Sequence, residues 1–182
     1  PADIMEFDLD SNPIEPRGRT MYLERYIHGE IYRARPEVNA IVHSHSPAVV
    51  PFGVSSVPLR PLYHMSGFLA EGIPIFEIRD TAGMTDLLVR DAPLGRALAK
   101  SLGEKTVALM RGHGNVVVGP TIPLAVYRAV YTEVNARLQA TAIGLGGSIT
   151  FLEPEEGRLA AVNIAGTINR PWELWKKKAL GK

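Results

Sequence analysis

The sequence predicts a layered α/β or α+β fold, because short β-branched runs and amphipathic helical stretches intermix along its whole length. Its 182 residues suffice for one domain, spanning 1–182, with roughly two-thirds of the unfolded surface buried in a single core. Apolar residues make up 46% and charged residues 21% of the chain. Both shares are near the averages of soluble globular proteins, so neither disorder nor a coiled coil is expected.

Ile4 to Phe7 reads as a short strand, followed by loop through Pro13, Pro16 and Gly18. A helix is expected from Thr20, its N-cap, through Leu23, Ile27 and Ile31 at intervals of four, until Arg35-Pro36 stops it. Asn39 to His45 is a β-branched run that reads as a central strand. Ser46 to Val54 suggests a short helix or turn, Leu59 to Gly72 an irregular segment, and Ile73 to Ile78 a strand. Leu87 to Leu102 has the periodicity of an amphipathic helix that Gly103 ends. Thr106 to Met110 and Asn115 to Val118 are short apolar strands joined by a tight turn, Arg111-Gly112-His113-Gly114. A long helix is expected over about Ile122 to Ile143, with Val126, Val130, Val134 and Leu138 as its apolar stripe, and residues 154 to 178 read as further helix.

The formal charge is only +1, and the basic residues form no stripe apart from Lys176 to Lys178, so no nucleic-acid partner is expected. There is no cysteine, which excludes disulfides, thiolate catalysis and cysteine-type zinc sites and fits a cytoplasmic enzyme. No apolar run is long enough for a membrane-spanning helix, and the opening PADIMEFDLD lacks signal-peptide character. Pro1 opens in what reads as mid-domain sequence, so a preceding N-terminal segment is expected.

The histidines carry the chemistry. In a strand, residues i and i+2 point the same way, so His43 and His45 project together. His113 stands between two glycines, where the backbone can turn sharply and bring a third imidazole close. Three neutral imidazoles suit Zn²⁺, with Mn²⁺, Fe²⁺ or Co²⁺ as alternatives, and open coordination positions would serve a substrate. On spacing alone, a metal site and an unremarkable set of surface or core histidines stay equally open.

The stretch LERYIHGEIYRARPEVNAIVHSHS, from Leu23 to Ser46, and MRGHGNVVVG, from Met110 to Gly119, resemble the class II aldolase/adducin family. The resemblance covers nearly the whole chain. It implies a three-layer α/β/α fold with a central mixed or antiparallel sheet. It also implies a divalent cation, usually zinc, held by His43, His45 and His113. Adducins share this fold without the metal, so the intact ligands favour an enzyme over a non-catalytic interaction domain. Family enzymes carry a helical acid about nineteen positions before the first ligand, where Glu24 stands. In the family it serves as the acid-base group that exchanges a proton at carbon. The alternative for Glu24 is a solvated helix residue paired with His28 at i+4.

His64 lies nineteen residues after His45, where sugar-phosphate aldolases of the family place a tyrosine that serves the neighbouring subunit's site, and Tyr63 is the adjacent alternative. A histidine at that place is a candidate proton donor or substrate-carboxylate ligand, with a satisfied loop residue as the alternative. Those aldolases also have a Ser-Ser pair before the acid that binds phosphate. Here Tyr22 and Leu23 replace it, which disfavours a phosphorylated sugar. Arg19, Tyr22 and Arg111 are candidate substrate contacts, the arginines as partners of a carboxylate. With the tail Asn169 to Leu180, this departure resembles the decarboxylase branch of the family. It implies a carboxy-lyase that acts, through a metal-stabilised enolate, on a hydroxy-oxo dienoate of the carboxymuconic semialdehyde type or a dihydroxyphthalate from aromatic degradation. An aldolase cleaving a non-phosphorylated hydroxy-oxo acid is the alternative. Trp172 and Trp175 are expected to pack a helix rather than cover substrate. The family also implies a homotetramer with sites between subunits.

Overall fold

The computed structural model describes residues 4–181. An N-terminal hairpin pairs β1 (Glu6–Phe7) antiparallel with β2 (Pro13–Ile14), and α1 (Arg25–Ala34) follows. Then come β3 (Ala40–Ser44), α2 (Val50–Val54), a 3-10 helix (His64–Glu71), β4 (Ile75–Phe76) and α3 (Arg79–Ala82). The second half holds α4 (Ala92–Leu102), β5 (Val107–Met110), β6 (Gly114–Gly119), α5 (Ile122–Leu145), α6 (Pro154–Ala165) and α7 (Asn169–Ala179).

The central sheet has the order β3-β6-β5-β4, with β4 parallel to β5 and the other pairs antiparallel, as the expected mixed sheet requires. Every residue of β5 and β6 is buried, because helices cover both faces. Alternate residues of β5 go to opposite sides: Ala108 and Met110 meet Ile27, Ile31, Leu94 and Leu98 of α1 and α4, whereas Val107 and Leu109 meet Phe52 of α2 and Tyr127 of α5. These are the three layers of an α/β/α sandwich. Ile27 and Ile31 are fully buried, and each contributes roughly 1.5–3 kcal/mol by leaving water.

Several boundaries differ from the sequence reading. Thr20 caps no helix: α1 begins at Arg25, Leu23 is exposed, and Glu24 stands at the N-cap with its side chain turned to other work. Likewise α4 begins at Ala92, because Asp91 accepts the Leu94 N–H and Pro93 suits the first turn, so residues 87–90 are connector rather than helix. The strand expected over Ile73 to Ile78 is regular only at Ile75–Phe76, and His64–Glu71 in the supposedly irregular segment is a 3-10 helix. The apolar stripe expected on α5 is not its core face. Val130 and Leu138 are exposed, while Ala125, Tyr127, Thr132, Asn135, Ala136 and Gln139 face inward.

The polar members of that inner face hold the segment 58–66. Asn135 accepts from the Leu62 N–H and Ser66 Oγ and donates to the Arg60 carbonyl, and Gln139 bonds the Pro58 carbonyl and Arg60 N–H. Trp175 of α7 packs against Tyr127 and Tyr131, which is the helix-packing role expected of it.

Candidate metal centre

His43 is near the end of β3 and His45 one residue past it, and their ring centroids are 5.1 Å apart. His113, in the turn between β5 and β6, lies 5.0 Å from the first ring and 4.8 Å from the second. Both flanking glycines are needed for this. Gly112 has a positive φ, and a Cβ on Gly114 would stand 2.2 Å from the Ser44 carbonyl oxygen. Only glycine therefore lets the turn press against the histidine strand.

Glu24 completes the group. It is 5% exposed, and its Oε2 lies 3.4 Å from Nε2 of both His43 and His113. Its Oε1 accepts the Val89 N–H at 3.0 Å. The ligand atoms of Glu24, His43, His45 and His113 all lie within 4.8 Å of one another. Burial pushes the Glu24 pKa up, but His113, His43 and the Val89 N–H outweigh it and hold the carboxyl well below the usual carboxylate range. Burial pushes His113 down, but the Glu24 carboxylate overrides this and raises its pKa. His45 is lowered by burial and by the two neighbouring imidazoles.

The ring nitrogens test whether these residues suit a cation. Nδ1 of His43 faces the Asn115 carbonyl at 3.1 Å, and Nδ1 of His113 faces the Leu87 carbonyl at 2.9 Å. A carbonyl can only accept, so each Nδ1 carries the proton and each Nε2 turns a lone pair towards the cluster. Nε2 of His43 is buried with no hydrogen-bond partner, and Nε2 of His45 and His113 approach to 2.9 Å. The orphaned Nε2 of His43, and an Nε2 of His113 that can only accept, leave donor atoms that a cation would satisfy. The donor set of three imidazoles and a carboxylate suits Zn²⁺ and related divalent ions.

The remaining candidates lie elsewhere or are engaged. Tyr22 is half-exposed, its ring centroid 6.4 Å from that of His28 in an edge-on arrangement, and both line a cavity of about 410 Å³ with Phe7 and Tyr32. Burial, with a smaller effect from Glu24, raises the Tyr22 pKa. Arg19 donates to the Pro16 and Ile4 carbonyls and so ties down the N-terminal segment. Arg111 is ion-paired with Glu77 at 2.6 Å. His64 is exposed at the start of the 3-10 helix and lies outside the cluster. Sequence reasoning missed Leu87, Val89 and Asn115 because they act through main-chain atoms, which leave no side-chain signature.

Residues 1–140 match the Class II Aldolase and Adducin N-terminal domain. The chain belongs to that family. It is 37% identical over 199 residues to decarboxylase tropJ of Talaromyces stipitatus, an overlap of 97% of this chain and 75% of that protein. It is 28% identical over 177 residues to the 3,4-dihydroxyphthalate decarboxylase of Arthrobacter keyseri, covering 92% of this chain and 68% of the other. A crystal structure of an aldolase II superfamily protein from Pseudomonas syringae shares the fold, with a TM-score of 0.76 at 19% identity over 96% of this chain and 69% of that one. This family member therefore groups with decarboxylases and is an enzyme of the carbon–carbon lyase type. Family and donor set together imply a divalent metal. No helix among the described residues is long and apolar enough to cross a membrane.

Proposed function

We propose that the protein is a divalent-metal-dependent carboxy-lyase for a hydroxy-oxo dienoate or dihydroxyphthalate-type substrate, with His43, His45 and His113 as ligands and Glu24 as the acid-base group. The observation that carries this reading is the convergence of three imidazoles, two of them with Nε2 set as an acceptor, beside a buried carboxylate. Similarity to two decarboxylases, one of them a dihydroxyphthalate enzyme, supports the reaction and substrate class.

A bound cation, most simply Zn²⁺, supplies Lewis-acid stabilisation of the negative charge that develops on substrate oxygen when a carbon–carbon bond breaks. His43, His45 and His113 would hold that cation, and main-chain carbonyls lock the ring orientation of two of them, His43 and His113. Glu24 starts as a carboxylate, held at Oε1 by Val89, and its Oε2 is free to carry a proton to or from substrate carbon. Tyr22 and Leu23 stand where a phosphate site would need small hydroxyls, which favours a substrate without phosphate. Arg19 and Arg111 reach the substrate carboxylate in this reading only by exchanging their present partners. In a homotetramer with sites between subunits, the exposed His64 serves as proton donor to a neighbouring copy. The absence of cysteine supports a cytoplasmic location.

The test is a panel of carboxylated catechols and hydroxymuconic semialdehydes offered to metal-reconstituted protein. Release of CO₂ supports the decarboxylase. Release of an aldehyde or pyruvate from a hydroxy-oxo acid, with no CO₂ from the panel, replaces it with an aldolase.

A further inference from the structure

His43 and His113 each anchor Nδ1 on a main-chain carbonyl, but among the described residues His45 shows no such bond and is exposed at the end of its strand. Beyond its contacts with the other two rings, its direction depends on the chain that follows it. Ser46 is buried, and its Oγ donates a short hydrogen bond to Oε2 of Glu133 on α5. The Ala48 N–H donates to the same oxygen at 3.1 Å, while Arg137 Nε holds Oε1 at 2.7 Å. Pro47 restricts the Ser46 backbone, and the Ser46 carbonyl accepts the N–H groups of Val49 and Val50 at 3.1 Å. The turn beginning one residue after His45 is thus pinned to the longest helix of the fold by a single carboxylate.

We propose that Glu133 is a positioning residue of the metal centre: by clamping Ser46 and Ala48 to α5, it sets where the His45 imidazole points, and with it the affinity and coordination geometry of the cation. This rests on the metal reading above. A mere brace would lower stability when removed and leave metal binding alone, so the two roles separate.

The experiment compares wild type, Glu133→Ala, Ser46→Ala and Gln139→Ala, each loaded with Zn²⁺ or Co²⁺ at a temperature where circular dichroism shows it folded. Glu133→Ala is expected to bind metal about 10-fold or more weakly and to shift the visible Co²⁺ absorption, with a smaller change of the same sign in Ser46→Ala. Gln139→Ala strips bonds of the same helix to Pro58 and Arg60, and is expected to lower Tm with affinity and absorption unchanged. Wild-type affinity and absorption in the Glu133 and Ser46 variants overturn the inference, as does equal weakening in Gln139→Ala. If Glu133→Ala does not fold, Ser46→Ala decides by the same two readouts. Wild-type protein that takes up neither metal overturns the metal centre itself and the inference with it, a result distinct from variants that bind as well as wild type.

Discussion

The Val89 main-chain N–H donates to Oε1 of Glu24 at 3.0 Å, which leaves the other carboxylate oxygen equidistant, at 3.4 Å, from Nε2 of His43 and of His113. One oxygen is fixed, and the other faces the histidines as the proposed acid-base atom. Glu24→Gln keeps an acceptor for Val89 but cannot exchange a proton. It should retain close to the wild-type metal content, measured by elemental analysis, and lose about 10²-fold or more in kcat.

Removal of a ligand has a different signature. His45→Ala should release the metal and abolish turnover, and its Tm should no longer rise when Zn²⁺ is added. Wild-type protein should gain stability with metal by mass action. Thermal unfolding with and without Zn²⁺ checks this, and full activity in His45→Ala would contradict the mechanism.

Gly114→Ala places a methyl group 2.2 Å from the Ser44 carbonyl, a backbone atom that cannot swing aside. The hairpin must lift from β3, at a cost of about 1–3 kcal/mol in urea unfolding. Because His113 precedes this residue, metal affinity should fall as well.

The pKa of His28 is pushed down to about 4, first by burial and then by His43, with Glu24 opposing. A depressed histidine favours the folded state fully above its unfolded value of 6.5. That contribution is lost as pH falls towards the folded value, since the unfolded chain binds more protons across that window. Metal-free protein should therefore weaken between these values, by at most about 3 kcal/mol from this group. His28→Asn should flatten the curve, and the difference between the two urea-unfolding series isolates the histidine.

Asn135→Ala leaves the Leu62 N–H and the Arg60 carbonyl without their partners in a part-buried strap. The expected loss is about 1–3 kcal/mol per stranded group, read by thermal unfolding, with metal content unchanged.

The centre was legible in the sequence because its donors are side chains with strong chemistry at telling offsets: i and i+2 on a strand, and a histidine between glycines. The layers were legible too, since the strands are apolar runs between amphipathic stretches. What sequence periodicity misjudged has a common cause. On α5 the apolar valines look like a core stripe, but the inner face includes Thr132, Asn135 and Gln139. Asn135 and Gln139 satisfy main-chain groups of a part-buried loop, which no helical periodicity reveals. The start of α1 differs because Glu24 turns its carboxylate to His43, His113 and the Val89 N–H rather than to a cap, and the start of α4 because Asp91 and Pro93 outrank the apolar residues before them. Glu133 left no signal at all: its partner is a serine 87 positions away.

The connector between α3 and α4 ties Glu24 and His113, the proposed acid and one proposed ligand, to one short piece of irregular chain. The Leu87 carbonyl selects the tautomer of His113, and the Val89 N–H steadies Glu24. Leu87 itself adopts a positive φ, an unusual conformation for a side chain of its shape. A single local opening of this loop would release Glu24 and His113 in the same event, so the proposed proton transfer and cation capture stand or fall as a unit.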